Sequence, residues 1–122
     1  RSDNTTGNTG SGLILSGVDG GRIEYCEAYN NGYLNSHLGG GPVGIWTYIV
    51  NNILIQYNES HHNKAGLDAD GGGFDFDGGT NNSIMQYNYS HDNEGAGYLV
   101  AQYVGAPSMS NNIIRYNISE ND

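Results

Sequence analysis

Asn51-Asn52-Ile53-Leu54-Ile55-Gln56-Tyr57-Asn58-Glu59-Ser60-His61-His62-Asn63 returns 30 residues later as Asn81-Asn82-Ser83-Ile84-Met85-Gln86-Tyr87-Asn88-Tyr89-Ser90-His91-Asp92-Asn93, with eight of 13 positions identical. A third copy, one residue shorter, runs from Asn111 to Asp122, and a more divergent one spans Arg22 to Asn31 with Cys26 in place of the first Asn after the tyrosine. Recurrence at a fixed period of this size marks an array of stacked units, none of which can bury a core alone.

Between the copies lies a second recurring element, a glycine followed by alternating residues: Gly12-Leu13-Ile14-Leu15, Gly44-Ile45-Trp46-Thr47, Gly73-Phe74-Asp75-Phe76 and Gly97-Tyr98-Leu99-Val100. Alternation of this kind reads as strand. No stretch of helical period is long enough to serve as a crossover helix, so the chain is expected to wind as a coil. Each strand then pairs with its equivalent one coil later, about 4.8 Å away. The expected fold is an all-β parallel β-helix of about four coils, a single domain over 1–122 with an irregular segment over 1–11 and coils over 12–122.

Composition agrees. Of 122 residues, 20 are Gly, 17 Asn and 10 Tyr, which argues against a helical bundle because Gly and Asn favour turns. Four Lys and Arg against 13 Asp and Glu leave a formal charge of −9, repulsive toward a polyanion, so nucleic acid is not an expected partner. No apolar run approaches the ~20 residues of a membrane-crossing helix, so no membrane partner is expected either. The single cysteine, Cys26, excludes an internal disulfide framework.

The glycine-led strand, then an Ile-rich strand ending in Asn, then a second Asn about five residues on, resembles the right-handed parallel β-helix repeat of the pectate lyase and polygalacturonase superfamily. The resemblance covers 12–122. It implies a secreted or cell-surface bacterial protein whose partner is a polysaccharide, although the same coil serves lyases, hydrolases, epimerases and adhesins.

The period predicts columns of like residues. Asn58, Asn88 and Asn117 should stack, with Cys26 at the end of the row; Asn31, Asn63, Asn93 and Asp122 should form a second row. A hydrogen-bonded ladder explains these asparagines more simply than ligand binding does. Tyr25, Tyr57, Tyr87 and Tyr116 should form an aromatic stack, and Glu24, Gln56, Gln86 and Arg115 a solvated outward row.

Departures from the repeat are better guides to function. The largest is Gly66-Leu67-Asp68-Ala69-Asp70-Gly71-Gly72-Gly73-Phe74-Asp75-Phe76-Asp77-Gly78-Gly79, which holds four of the eight Asp. With Phe74 and Phe76 pointing into the coil, Asp75 and Asp77 point out, about 6.6 Å apart along the strand. Trp46 and Tyr48 occupy the matching positions of the preceding coil. An aromatic surface can stack on a pyranose, and a carboxyl pair can supply acid and base at a glycosidic bond. Acids so crowded should raise one another's affinity for a proton.

Gly-Phe-Asp also resembles part of the polygalacturonase motif Asn-Thr-Asp-Gly-Phe-Asp. The catalytic Asp of that motif falls on Gly72, and the family's Asp-Asp pair one coil later meets Asp92-Asn93. The candidates are therefore Asp75, Asp77 and Asp92 for catalysis and Trp46, Tyr48 and His91 for substrate binding. A glycoside hydrolase-like activity is the first expectation. The alternatives are a non-catalytic carbohydrate-binding or surface module, or a uronate lyase or epimerase-like fragment; for a lyase only Lys64, Arg22 and Arg115 could serve as base beyond Arg1.

Asp68 and Asp70 offer oxygen ligands of the kind Ca²⁺ takes, so Ca²⁺ is the cofactor to consider. His61, His62 and His91 raise a transition metal, but His61 and His91 are repeat equivalents and His62 has no partner at fixed spacing, so a polar turn is expected there. The stretches Gly39-Gly40-Gly41-Pro42 and Gly105-Ala106-Pro107-Ser108 interrupt the coil as insertions of the kind that wall a groove. The last copy stops at Asp122, where another glycine-led strand would begin. This reads as coils taken from a longer β-helix, with homo-oligomerisation through the open coil ends expected.

Overall fold

The computed structural model describes residues 10–122. Of the irregular segment expected over 1–11, only Gly10 and Ser11 fall within it. Thirteen short strands follow: β1 Leu13–Ser16, β2 Asp19–Glu24, β3 Glu27–Tyr29, β4 Val43–Tyr48, β5 Val50–Gln56, β6 Glu59–His61, β7 Gly72–Phe76, β8 Thr80–Asn81, β9 Ile84–Gln86, β10 Tyr89–His91, β11 Tyr98–Val100, β12 Ile113–Arg115 and β13 Ile118–Glu120. They assemble as three parallel sheets, β1-β4-β7-β11, β2-β5-β9-β12 and β3-β6-β10-β13, with β8 also paired to β5. Each four-stranded row collects one strand per coil, so the chain completes four turns of a three-faced solenoid.

Inward residues of the three faces meet in one core of Ile23, Ile45, Ile53, Ile55, Phe74, Phe76 and Met85, with Ala28 and Val50 at its edge. Each fully buried Phe contributes about 1.5–3 kcal/mol. A ladder hydrogen bond adds a net of only about 1 kcal/mol. Burial therefore drives the coils together, and the ladders set how they register.

Both asparagine rows form. Asn58 Oδ1 accepts the Cys26 amide at 2.9 Å, and Asn88 Oδ1 accepts Asn58 N and Nδ2 at 3.1 and 2.9 Å. Asn117 continues the row beneath Asn88. In the second row Asn63 Oδ1 accepts from Asn31, Asn93 Oδ1 from Asn63, and Asp122 Oδ1 from Asn93 at 2.7 Å. The tyrosines stack at centroid separations of 5.3, 5.5 and 5.3 Å. All four sit in the left-handed region, φ 54 to 57°, a conformation costly for a residue with a Cβ. The stacked rings, and the Asn that follows Tyr57, Tyr87 and Tyr116, offset that cost. The outward row is itself a ladder: Gln56 donates to Glu24 at 2.6 Å, Gln86 to Gln56 at 2.8 Å and Arg115 to Gln86 at 2.9 Å.

The recurring glycine has a steric origin. A Cβ on Gly44 would overlap the Ser60 hydroxyl, and one on Gly73 the Ser90 hydroxyl, because the Asn63 and Asn93 amides with their serines fill that corner. One register differs from the sequence alignment. Asn82 is followed one coil later by Asn111, and Ser83 by Asn112, whose Oδ1 accepts the Ser83 amide at 3.1 Å. The residue missing from the fourth coil therefore falls before this corner, and Asn81 bridges Ser110 instead.

Candidate functional site

The outward face of the first sheet places Ile14, Trp46, Asp75 and Leu99 in one row through consecutive strand registers. Two residues further along each strand, the continuing register sets Ser16, Tyr48, Asp77 and Ala101 in a second row. The expected quartet of Trp46, Tyr48, Asp75 and Asp77 is thus assembled on β4 and β7 and the residue that follows β7. Trp46 and Tyr48 stack at 5.2 Å with their planes 26° apart.

Over this face runs a groove of about 660 Å³, lined by Ile14, Trp46, Tyr48, Asp70, Asp77 and Tyr103 among others. Gly40 brings the first insertion to its wall, and Gln102 and Tyr103 come from the loop that carries the second. The face is not open along its whole length. Asp75 is 3% exposed and Trp46 6%, whereas strand alternation alone predicts both at the surface. The insertions account for this: outward residues of a bare sheet meet water, but here the loops stand over it. Asp75 does not line the groove; Asp77 and Asp70 do.

Burial first, then the charges of Asp77 and Asp70, push the Asp75 carboxyl up to about 8. Asp70 is also raised, by burial and then by Asp68. One oxygen of Asp75 is buried without a hydrogen-bond partner, as is the indole Nε1 of Trp46, its register neighbour. Asp77 Oδ1 accepts the Gly78 amide at 2.6 Å.

Asp68 and Asp70 brace one loop against another. Asp70 Oδ2 accepts the Gly41 amide at 3.1 Å, and Asp68 accepts the amides of Gly39 and Ala69. Among the described residues these acids do not fall into a group of three ligating side chains; two such groups lie elsewhere, on the third sheet.

His91 and Asp92 belong to that third sheet and the turn after it, so the structure does not bring them to Trp46 and Asp77. They pair with each other, His91 Nδ1 to Asp92 Oδ2 at 2.8 Å. That bond, foremost, raises the His91 imidazole and lowers the Asp92 carboxyl from their ordinary values. His61 stacks on His91 at 4.7 Å, and His62 meets both rings edge-on. Repeat equivalence of His61 and His91 argues in the sequence against a metal site, yet that equivalence is what stacks them.

No curated protein and no solved structure matches the chain. A family model described as a right handed beta helix region matches residues 2–122. With three parallel sheets wound from one repeating coil, the chain belongs to this right-handed β-helix family.

Proposed function

We propose that the groove on the first sheet takes a segment of polysaccharide and that the protein processes it in the manner of a glycoside hydrolase, outside the cell or at its surface. The observation that carries this reading is the meeting of a stacked Trp46–Tyr48 pair with the carboxyls of Asp70 and Asp77 along one groove. Aromatic rings offer a flat apolar surface to a sugar ring. One carboxyl to give a proton and one to take a proton are the pair glycosidic cleavage requires. Asp70, raised by burial and by Asp68, serves as acid, and Asp77 as base. Asp75, sealed beneath them, is a positioning residue whose protonation sets the field the other two feel.

Turnover on a panel of neutral and acidic glycans tests the reading. Asp77→Asn and Asp70→Asn should each lower the rate by about 100-fold or more. Asp75→Asn should shift the pH profile more than the maximal rate. Unchanged turnover in both Asp77→Asn and Asp70→Asn removes the assignment. A second reading, a non-catalytic carbohydrate-binding module, is favoured by the near-complete burial of Asp75. Saturable glycan binding with no turnover would select it.

A further inference from the structure

On the third sheet, three rows run side by side across consecutive coils. Glu27, Glu59 and Tyr89 form the first, Tyr29, His61 and His91 the second, and the turn residues Asn30, His62, Asp92 and Asn121 the third. The His61 and His91 rings lie nearly parallel, 8° apart, and present equivalent edges. Each turns Nε2 toward the first row: His61 Nε2 to Glu27 Oε1 at 3.0 Å, and His91 Nε2 to Glu59 Oε1 at 3.0 Å. Each turns Nδ1 toward the third row: His61 Nδ1 to His62 Nδ1 at 2.7 Å, and His91 Nδ1 to Asp92 Oδ2 at 2.8 Å.

We propose that the Nδ1 atoms of His61, His62 and His91, with the Asp92 carboxylate, bind a divalent transition-metal ion of the zinc type that clips the second coil to the third. A histidine that ligates a metal through one nitrogen commonly holds a carboxylate with the other, which fixes its tautomer and its ring. Glu27 and Glu59 stand in that outer position for His61 and His91. The ligating atoms of His62, His91 and Asp92 all lie within 4.8 Å of one another. Two ligands of a tetrahedral zinc keep about 3.3 Å between them at bond lengths of about 2.0–2.1 Å. The His61–His62 and His91–Asp92 pairs, at 2.7 and 2.8 Å, stand closer than that, so side-chain rotations that open each pair around one ion form the site. His62 is exposed, which opens the site to solvent, while the His61 and His91 side chains are only 16% exposed and held by their stack. Three imidazoles select zinc, copper or nickel over the hard cations Ca²⁺ and Mg²⁺, which require oxygen. This site is separate from the groove and does not rest on the glycan reading.

The turn row supplies its own conservative variants. Asn30 and Asn121 adopt the same left-handed turn, φ 54 and 56°, as His62 and Asp92, φ 55 and 54°, so His62→Asn and Asp92→Asn keep the corner while removing a ligand. Calorimetric titration of chelator-stripped, untagged chain with Zn²⁺ should show saturable binding of a single ion and a raised melting temperature. His62→Asn and Asp92→Asn should each weaken that binding by roughly tenfold or more, while excess Ca²⁺ should not compete. Bound Cu²⁺ should show nitrogen hyperfine structure by electron paramagnetic resonance. Absence of saturable Zn²⁺ uptake, unchanged affinity in both variants with native circular dichroism, or equal competition by Ca²⁺ would each overturn the proposal.

Discussion

Trp46 and Asp75 are register neighbours on β4 and β7, both buried, and each holds a polar atom, Nε1 and Oδ1, that no protein group satisfies. The pair sets two unsatisfied polar atoms in the buried part of the first sheet, where an unpaired polar group costs stability and survives only under some other constraint.

The Asp75 carboxyl makes stability depend on pH in a stated direction. Its ordinary value is near 3.8 and the folded chain raises it to about 8, so between those limits the folded state binds more protons than the unfolded state. The contribution is fully present below about pH 4 and is lost as pH rises toward 8, with a slope of up to about 1.4 kcal/mol per pH unit. Chemical unfolding from pH 4 to 8 should show wild type losing stability relative to Asp75→Asn across this window. A difference that stays flat contradicts the burial of an acid there.

The single tryptophan reports on the groove. Buried as it is, Trp46 should emit at shorter wavelength than free indole and resist a polar quencher. A glycan that occupies the groove should alter that emission, and Tyr48→Ala should abolish the change by removing the ring stacked on Trp46. Glycan binding without any emission change would place the ligand elsewhere.

Asn63 is the middle of the second ladder. Its Oδ1 accepts both nitrogens of Asn31, and its own Nδ2 donates to Asn93 Oδ1 at 2.7 Å. Asn63→Ala leaves both nitrogens of the buried Asn31 without their acceptor and removes the side-chain donor to Asn93 Oδ1, which keeps only the main-chain amide of residue 63; this should cost roughly 2–4 kcal/mol, read from the urea midpoint. A loss under about 0.5 kcal/mol, typical of surface substitutions, would mean the ladder is decorative.

Gly73→Ala tests the packed corner. Its Cβ would meet the Ser90 hydroxyl and approach the Gly97 carbonyl oxygen to 2.9 Å, so a destabilisation of about 1–3 kcal/mol is expected. Gly21 is the comparison. It also lies on a strand and its backbone has no left-handed φ, but an added Cβ there meets only side-chain methyls, Ile53 at 3.4 Å and Val18 at 3.8 Å, so Gly21→Ala should cost far less.

The rows were legible because a period of about 30 residues leaves one coil directly over the next. Tyr57 over Tyr87 and Asn58 over Asn88 follow from that alone. The face shared by Trp46 and Asp75 was legible from strand alternation. Their burial was not, since the loops over them carry no repeat and their path depends on contacts such as Asp70 with Gly41. The slipped register at Asn112 was hidden by an Asn-Asn pair that imitates the preceding one. The left-handed tyrosine corners were also unforeseen, because nothing in tyrosine's intrinsic preference suggests that backbone.

Asn58, Asn88, Asn63 and Asn93 each offer the side-chain oxygen to the coil before and the main-chain amide to the coil after. The two faces of a coil are consequently a socket and a plug, and both ladders are keyed the same way round. A tandem duplicate spliced in at this joint should seat in one orientation only, lengthening the rod by about 4.8 Å per added turn. The protein thereby carries the template for graded versions of itself.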